Sequence, residues 1–375
     1  MRPPDVLLND FTRLWADAGD DVLAAVRRVG ASGWYVLGPE VERFEGALAG
    51  VMGRRHVVGC GSGLDAIEIA LRAAGVAAGT KVLTTPLSAF ATTLAIVRAG
   101  AVPAFVDVDE HGMLDLGRCR AVLAADPRVR ALVPVHLFGQ AADVEALAEL
   151  RERFGIVVVE DCAQALGARS GERGAGTAGQ LAATSFYPTK NLGALGDGGA
   201  VATDDDALAD RCRSLRDYGQ RGRYEHDDLG LNSRLDELHA AILARAFLPR
   251  LAGWTERRRE IARAYTARIA HPLVRPLAGP PASRGVWHLF PVRVPAGARE
   301  AFMSHLHARG VRSAVHYPRL IPRQRALDGC VFEVHGDLAR AEELAATEVS
   351  LPIHPYLEGG EIDRVVEAVN GWSGA

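Results

Sequence analysis

Several things are missing from this sequence, and each absence removes a class of function. No apolar run approaches the roughly 18 residues that a membrane-spanning helix needs. The first ten residues, Met1 to Asp10, hold a proline pair and an acid where a secretory leader would carry an apolar core. Cysteine is sparse: Cys60, Cys119, Cys162, Cys212 and Cys330 lie far apart, so no CxxC pair offers a metal site. Their odd number fits buried, reduced thiols rather than a disulfide frame. Among 12 histidines no two stand four residues apart, the spacing that places two metal ligands on one helix face. No metal is therefore expected. Strong charge is lacking as well. A formal net charge of -3 supplies no basic field for nucleic acid or an anionic membrane, and neither partner is expected. A cytoplasmic location follows as the default.

What remains is an ordinary globular composition, 48% hydrophobic and 24% charged, in 375 residues, enough for a large buried core and more than one domain. From Val57 to about Thr203, short apolar runs alternate with amphipathic stretches. The runs are Val57-Val58, Val82-Leu83, Val102 to Val106, Ala131 to Val135 and Ile156 to Val159. Between them Leu64 to Ala74, Ala91 to Ala99 and Val144 to Phe154 repeat with helical period. Such alternation predicts βαβ units in an α/β fold with a mainly parallel sheet, whose ligands bind at the carboxyl ends of the strands. A helical pattern follows from about Ser233 to Arg250 and ends near Pro249, and a charged helix runs through Trp254 and Arg257 to Glu260. Past Pro272 the texture changes: Val286 to Val294 alternates like a strand, while Glu300 to Arg309 and Ile362 to Val369 read as helices. The expected division is a large domain over 1–250, with an N-terminal arm, and a smaller α+β domain over 251–375.

Three segments carry chemistry. Lys190 stands just past the β-run Ala182 to Tyr187 and is followed by Gly193, Gly196, Gly198 and Gly199. Glycines allow backbone to approach a ligand closely, and a desolvated amine can lose its proton and act as a nucleophile. By itself, a lysine in a glycine-rich loop is usually a surface charge. Asp161 ends the apolar run Ile156 to Val159 and so faces the ligand edge, where a carboxylate can pair with a pyridine nitrogen. A plain helix cap is the bland alternative. The turn Gly59-Cys60-Gly61-Ser62-Gly63-Leu64-Asp65-Ala66 enters a helix, and the free amides there form a phosphate seat. A dinucleotide site competes for this turn, but Leu64 takes the place of the third glycine. The next strand ends in Thr84-Thr85, with no acid for a ribose, which argues against a nicotinamide dehydrogenase.

With these residues in place, the chain resembles the DegT/DnrJ/EryC1/StrS family of sugar-nucleotide aminotransferases, within aspartate aminotransferase fold type I. The resemblance runs from Gly33-Trp34-Tyr35-Val36-Leu37-Gly38-Pro39-Glu40 to Leu351-Pro352-Ile353-His354-Pro355. It is densest at Glu160 to Ala165, Ser185 to Gly199 and Gly230 to Glu237. It implies a pyridoxal-phosphate-dependent transferase of fold type I: a large domain around a mainly parallel, seven-stranded type of sheet, plus the small α+β domain. It implies pyridoxal 5′-phosphate as cofactor, with Lys190 binding it covalently and moving the proton. Asp161 would sit on the pyridine nitrogen, and Gln164 near the ring oxygen or the phosphate. Gly63, Leu64 and Ser185 would hold the phosphate, and Asn232 would reach it from a neighbouring subunit, making a homodimer with shared sites.

Two departures from the family pattern stand out. Leu64 occupies a position where many relatives have threonine, and Ala89 falls where relatives stack an aromatic on the ring, leaving Phe90 as the replacement. Relatives that have become dehydratases carry histidine at the Lys190 position. Tyr35, Tyr187, Arg234, His316 and Tyr317 flank the motifs and are candidate contacts for sugar, diphosphate or donor carboxylate. The expected reaction moves an amino group from L-glutamate or L-glutamine to a nucleotide-linked keto-deoxysugar. Members that aminate C3 look similar at Gly-Leu-Asp-Ala, which favours C3 of a dTDP-sugar, in antibiotic or surface-sugar assembly. The competing readings are a keto-cyclitol aminotransferase and a non-catalytic pyridoxal-phosphate-binding regulator.

Overall fold

The apolar runs of the first two hundred residues become the strands of one large sheet in a computed structural model, which describes residues 5–222 and 224–374. In chain order the sheet holds β1 (His56–Cys60), β2 (Lys81–Thr84), β3 (Val102–Val106), β4 (Val129–Val133), β5 (Val157–Asp161), β6 (Leu181–Ser185), β7 (Gly199–Thr203) and, from much later in the chain, β8 (Glu333–His335). Across the sheet they run β1-β7-β6-β5-β4-β2-β3-β8. Only β7 is antiparallel to its neighbours, β1 and β6; the other pairs are parallel. Helices cover both faces, so strands such as β2 are buried from end to end. The antiparallel return has a consequence for the site. The segment 186–198, which carries Lys190, leaves β6 at its carboxyl end and re-enters at β7 without crossing the sheet, so it stays on the ligand edge.

The helices start where the sequence provides caps. Ser62 accepts a hydrogen bond from the Asp65 amide to open Gly63–Ala73, and Asp143 does the same for Val144–Phe154, which Gly155 closes at φ 59°. The helix Pro39–Met52 has no cap of its own at Gly38. Glu237, 1% exposed, takes that role from 196 to 199 residues away: its two oxygens accept the amides of Gly38, Glu40 and Val41 at 2.8–2.9 Å. A carboxylate is favoured there by the positive end of the helix.

The C-terminal part builds a second, antiparallel sheet from Arg275–Pro276, Phe290–Arg293 and Glu348–Leu351. Helices Arg299–Ala308 and Gly359–Asn370 close over it around Phe290, Phe302, Val349 and Val365. The structure adds detail to the expected division. The expected boundary near 250 falls inside a continuous helical rod. Pro249 offers no N–H to the ladder, and the rod absorbs the loss through a π turn, Leu243–Phe247, and a 3-10 turn, Leu248–Arg250, before Leu251–Arg268 continues. Val6 bridges to Val311 and packs into the C-terminal core, so the N-terminal arm begins there. β8, from the C-terminal part, extends the large sheet to eight strands. Finally, the strand expected over Val286 to Val294 is limited to Phe290–Arg293, because Val286 and Leu289 donate instead to the carbonyls of Gly139 and Phe138.

Replacing Glu237 with alanine leaves three buried amides without their carboxylate. Glu237→Ala should lower the unfolding free energy by about 3 kcal/mol in denaturant titration. A loss below roughly 1 kcal/mol would mean that water takes over the capping.

Candidate functional site

Strand β5 ends in two consecutive carboxylates, and the pleat turns them to opposite faces. Glu160 points away from the ligand edge and is fully buried. It accepts the amides of Gly176, Ala178 and Gly179 at 2.7–2.9 Å and lies 3.0 Å from His136 Nε2. The Ala142 amide donates to His136 Nδ1, so the ring proton resides on Nε2 and is donated to Glu160. Desolvation works to raise the Glu160 pKa, but the bond and charge from His136 and these amides outweigh it and hold the group below the usual range. Asp161 points into the site. Its Oδ2 accepts the Thr92 hydroxyl at 2.8 Å and its Oδ1 accepts the Ala163 amide at 3.0 Å, which leaves acceptor capacity on both oxygens.

The sequence contains two lysines, Lys81 and Lys190. Lys81 opens β2 at the opposite edge of the sheet, where its Nζ is paired with Asp126 at 2.8 Å and Glu333 at 2.6 Å. Lys190 makes no ion pair among the described residues. Burial drives its ammonium below the ordinary lysine range, and the charge of Asp161 opposes this only in part. Lys190 is thus the amine that can shed its proton and attack a carbonyl carbon.

Close packing shapes the wall between the first helix of the sheet and the lysine segment. A Cβ on Gly63 would come within 2.6 Å of Ser185 Cβ, and one on Gly199 within 2.3 Å of the Ser62 carbonyl oxygen. The amides that open the helix Gly63–Ala73 therefore meet the Ser185 hydroxyl in one cradle, a donor set suited to a phosphate. Above it Gln164 is clamped. Its Oε1 accepts the Phe138 amide at 2.7 Å, and its Nε2 donates to the Tyr317 hydroxyl at 3.2 Å. The loop that makes this clamp is strained: Phe138 sits at φ 59°, and the next residue must be glycine, since a Cβ on Gly139 would fall 2.4 Å from the His288 amide. Lysine, aspartate and phosphate cradle together fit a phosphorylated aromatic aldehyde with a basic ring nitrogen.

The structure gathers Lys190, Asp161, Gln164, Ser185, Gly63, Leu64, His316 and Tyr317 on one edge, and treats the other candidates differently. Arg234 is engaged by Asp217 at 2.8 Å and lies over the Tyr218 ring. Phe90 is part-buried and packs against Phe105, Ile321 and Leu327. Tyr35 and Tyr187 are about half exposed, and Asn232 lies on the surface. Several participants escaped the sequence reading: Thr92 beneath Asp161, the Glu160–His136 pair, and His288, whose Nδ1 lies 3.3 Å from Asn191. Burial, reinforced by the charges of Lys190 and Arg258, pushes His288 well below the usual histidine range. Burial and Lys190 likewise lower His316, to about 4. A small, open pocket adjoins Lys190 and is lined by Asn9, Trp254, Arg258, His354 and Tyr356. No described helix is long and apolar enough to cross a membrane, and the described residues contain no group of three metal-ligating side chains.

A sequence profile of the DegT/DnrJ/EryC1/StrS aminotransferase family matches residues 16–370. Similar proteins include a dTDP-3-amino-3,4,6-trideoxy-alpha-D-glucose transaminase of Streptomyces venezuelae, 43% identical over 99% of this chain and 97% of its own. Among solved structures, that of S. venezuelae DesV in complex with a ketimine intermediate superposes with a TM-score of 0.93 at 43% identity, covering 99% of both chains. NtdA from Bacillus subtilis, with bound cofactor PMP, matches with a TM-score of 0.87 at 27% identity, over 98% of this chain and 84% of its own.

A direct test of the lysine assignment is covalent trapping. Borohydride reduction in the presence of pyridoxal 5′-phosphate should leave one adduct per chain, on the peptide containing Lys190 and none on that containing Lys81, as read by mass spectrometry. An adduct confined to Lys81 would overturn the geometry described above.

Proposed function

The chain belongs to the DegT/DnrJ/EryC1/StrS aminotransferase family, and from that premise we propose that it carries an amino group from L-glutamate or L-glutamine to a nucleotide-linked keto-deoxysugar, with C3 of a dTDP-sugar as the favoured acceptor. One observation carries the reading: among the described residues Lys190 is the lysine with no ion pair, and it is part-buried, depressed in basicity by desolvation and electrostatically coupled to Asp161. We assign pyridoxal 5′-phosphate as the cofactor; when bound, it supplies the carbonyl carbon and electron-accepting ring that hold the amino group between donor and acceptor.

The chain's own residues have separate tasks in this reading. Lys190 would hold the cofactor through its carbonyl carbon and would be the base that moves a proton at the substrate carbon. Asp161, fixed by Thr92 and Ala163, holds the proton on the ring nitrogen. Ser185 and the amides of Gly63 and Leu64 bind the phosphate, and Gln164 lies near the ring oxygen or the phosphate. Phe90, part-buried at the start of its helix, remains the aromatic that would cover the ring. His316 and Tyr317 are the candidate contacts for the sugar, the diphosphate or the donor carboxylate.

We infer that the working form is a homodimer in the cytoplasm. Phe11, Trp15, Trp34, Tyr35, Tyr187 and Leu195 expose large apolar side chains that a second copy would cover. Asn232, exposed in one chain, then reaches the partner's phosphate seat.

In a coupled assay, L-glutamate should convert the cofactor to its amine form, as read by absorbance, and a keto-sugar nucleotide should convert it back. Lys190→Ala should lower turnover by about 10³-fold or more. Normal turnover in that variant would refute the assignment. Shared sites have their own check. Mixing inactive Lys190→Ala and Asn232→Ala dimers under subunit exchange should restore part of the activity, because one site of each mixed dimer is then complete. Failure to recover any, with exchange verified, would place each site within one chain.

A further inference from the structure

A further buried carboxylate lies behind His316. Glu348, at the start of the strand Glu348–Leu351, is fully buried. Its Oε2 accepts the backbone amide of His316 at 2.6 Å and its Oε1 accepts the Ser350 hydroxyl at 2.5 Å. The Ser350 oxygen lies 2.9 Å from Nδ1 of the His316 ring. A serine hydroxyl has a single proton to donate. With that proton given to Glu348, the contact to His316 requires a hydrogen on Nδ1. Since burial and the charge of Lys190 hold the ring neutral above a pH of about 4, Nε2 carries a bare lone pair.

We propose that Glu348 is a positioning residue which, acting through Ser350, fixes the tautomer of His316 and makes its Nε2 a hydrogen-bond acceptor at the edge of the site. The acceptor is well placed: the neighbouring Tyr317 hydroxyl bonds Gln164 at 3.2 Å, and the charge of Lys190 is felt at the imidazole. On the aminotransferase reading, on which the functional consequence rests, a bare Nε2 accepts from a sugar hydroxyl or an amine N–H. The opposite tautomer would donate a proton and suit a keto oxygen instead.

The direction of the relay can reverse. Burial pushes Glu348 up to about 7, against the pull of the Ser350 hydroxyl, the His316 amide and Arg299. When Glu348 takes up a proton it becomes a donor to Ser350, which turns its own hydrogen to Nδ1. The ring then releases its Nδ1 proton and takes one at Nε2, with its net charge unchanged. The other charged groups around this carboxylate are accounted for. Arg299, on the helix Arg299–Ala308, is bound to the Ala345 carbonyl, and Arg293, directly across the strand pair, is bound to Glu343. Tyr317 and Lys190 lie on the site side.

The test is Glu348→Gln, which keeps the shape but can present an amide N–H to Ser350. In protein labelled with ¹⁵N-histidine, with His316 resonances identified by their loss in His316→Gln, the wild type at pH 8 should show a protonated Nδ1 and a bare Nε2. Glu348→Gln should exchange the two. The KM for the acceptor should rise about tenfold, the equivalent of one hydrogen bond, and any inflection near pH 7 in the pH profile should vanish. If the variant does not fold, a pH titration of the wild-type resonances gives the same reading, with the exchange centred near pH 7. A bare Nδ1 in the wild type, or resonances unmoved by both the substitution and pH, would overturn the proposal. The nitrogen resonances report on the relay even in a chain inert toward every sugar acceptor, so the two failures are distinguishable.

Discussion

The site depends on how strand β5 ends. Two carboxylates in sequence, on opposite faces of a buried strand, must both be satisfied or the strand end cannot stay where it is, because an unpartnered buried charge costs several kcal/mol. Glu160 is saturated by three amides and His136, and in being saturated it ties the turn 176–179 to the underside of the sheet. Asp161 receives two donors among the described residues. The asymmetry is functional in form: one carboxylate is spent on structure, and its neighbour retains lone pairs for a ligand. The lysine segment that leaves β6, the strand beside β5, inherits its position from this pinned end.

How much of this could be read from the sequence follows from where each residue gets its position. Lys190, Asp161, Ser185 and Gly63 were legible because a parallel sheet delivers the residues after its strands to one edge, whatever the details of packing. Thr92 and His288 were not, since each reaches the site from a segment with no signal of its own. The strain at Phe138 and the closeness of Gly139 to His288 bring the 286–289 segment in, and that same latch shortened the strand expected from Val286 onward. β8 was illegible for another reason: Glu333-Val334-His335 is three residues long with polar ends, and its identity comes entirely from pairing with β3. Pro249 was read as an end and proved to be an irregularity within a rod, because a helix can absorb a missing amide through a π turn.

One elimination was available from composition alone. With two lysines among 43 basic residues, imine chemistry had two candidates before any fold was considered, because arginine keeps its proton and does not act as such a nucleophile. The structure removes Lys81 through its two acidic partners. A lysine-poor, arginine-rich surface makes the remaining amine chemically conspicuous, which a richer composition would have hidden.

The bases that crowd Lys190 respond to burial in a common direction. Lys190, His288, His316 and Arg258 are all pushed down, Arg258 to about 10 and His316 to about 4. Desolvation is the leading cause in each, and Asp161 is the acid that pulls back on Lys190. Both site histidines are therefore neutral throughout the physiological range, and neither is the natural source of a titration near pH 7. That is the region where histidine would ordinarily be invoked. The group whose pKa does fall there is a carboxyl, Glu348, raised to about 7 by burial. Its effect on the site passes through a hydroxyl and an imidazole whose own charge does not change, so pH alters the polarity of one hydrogen bond while leaving the net charge of His316 constant.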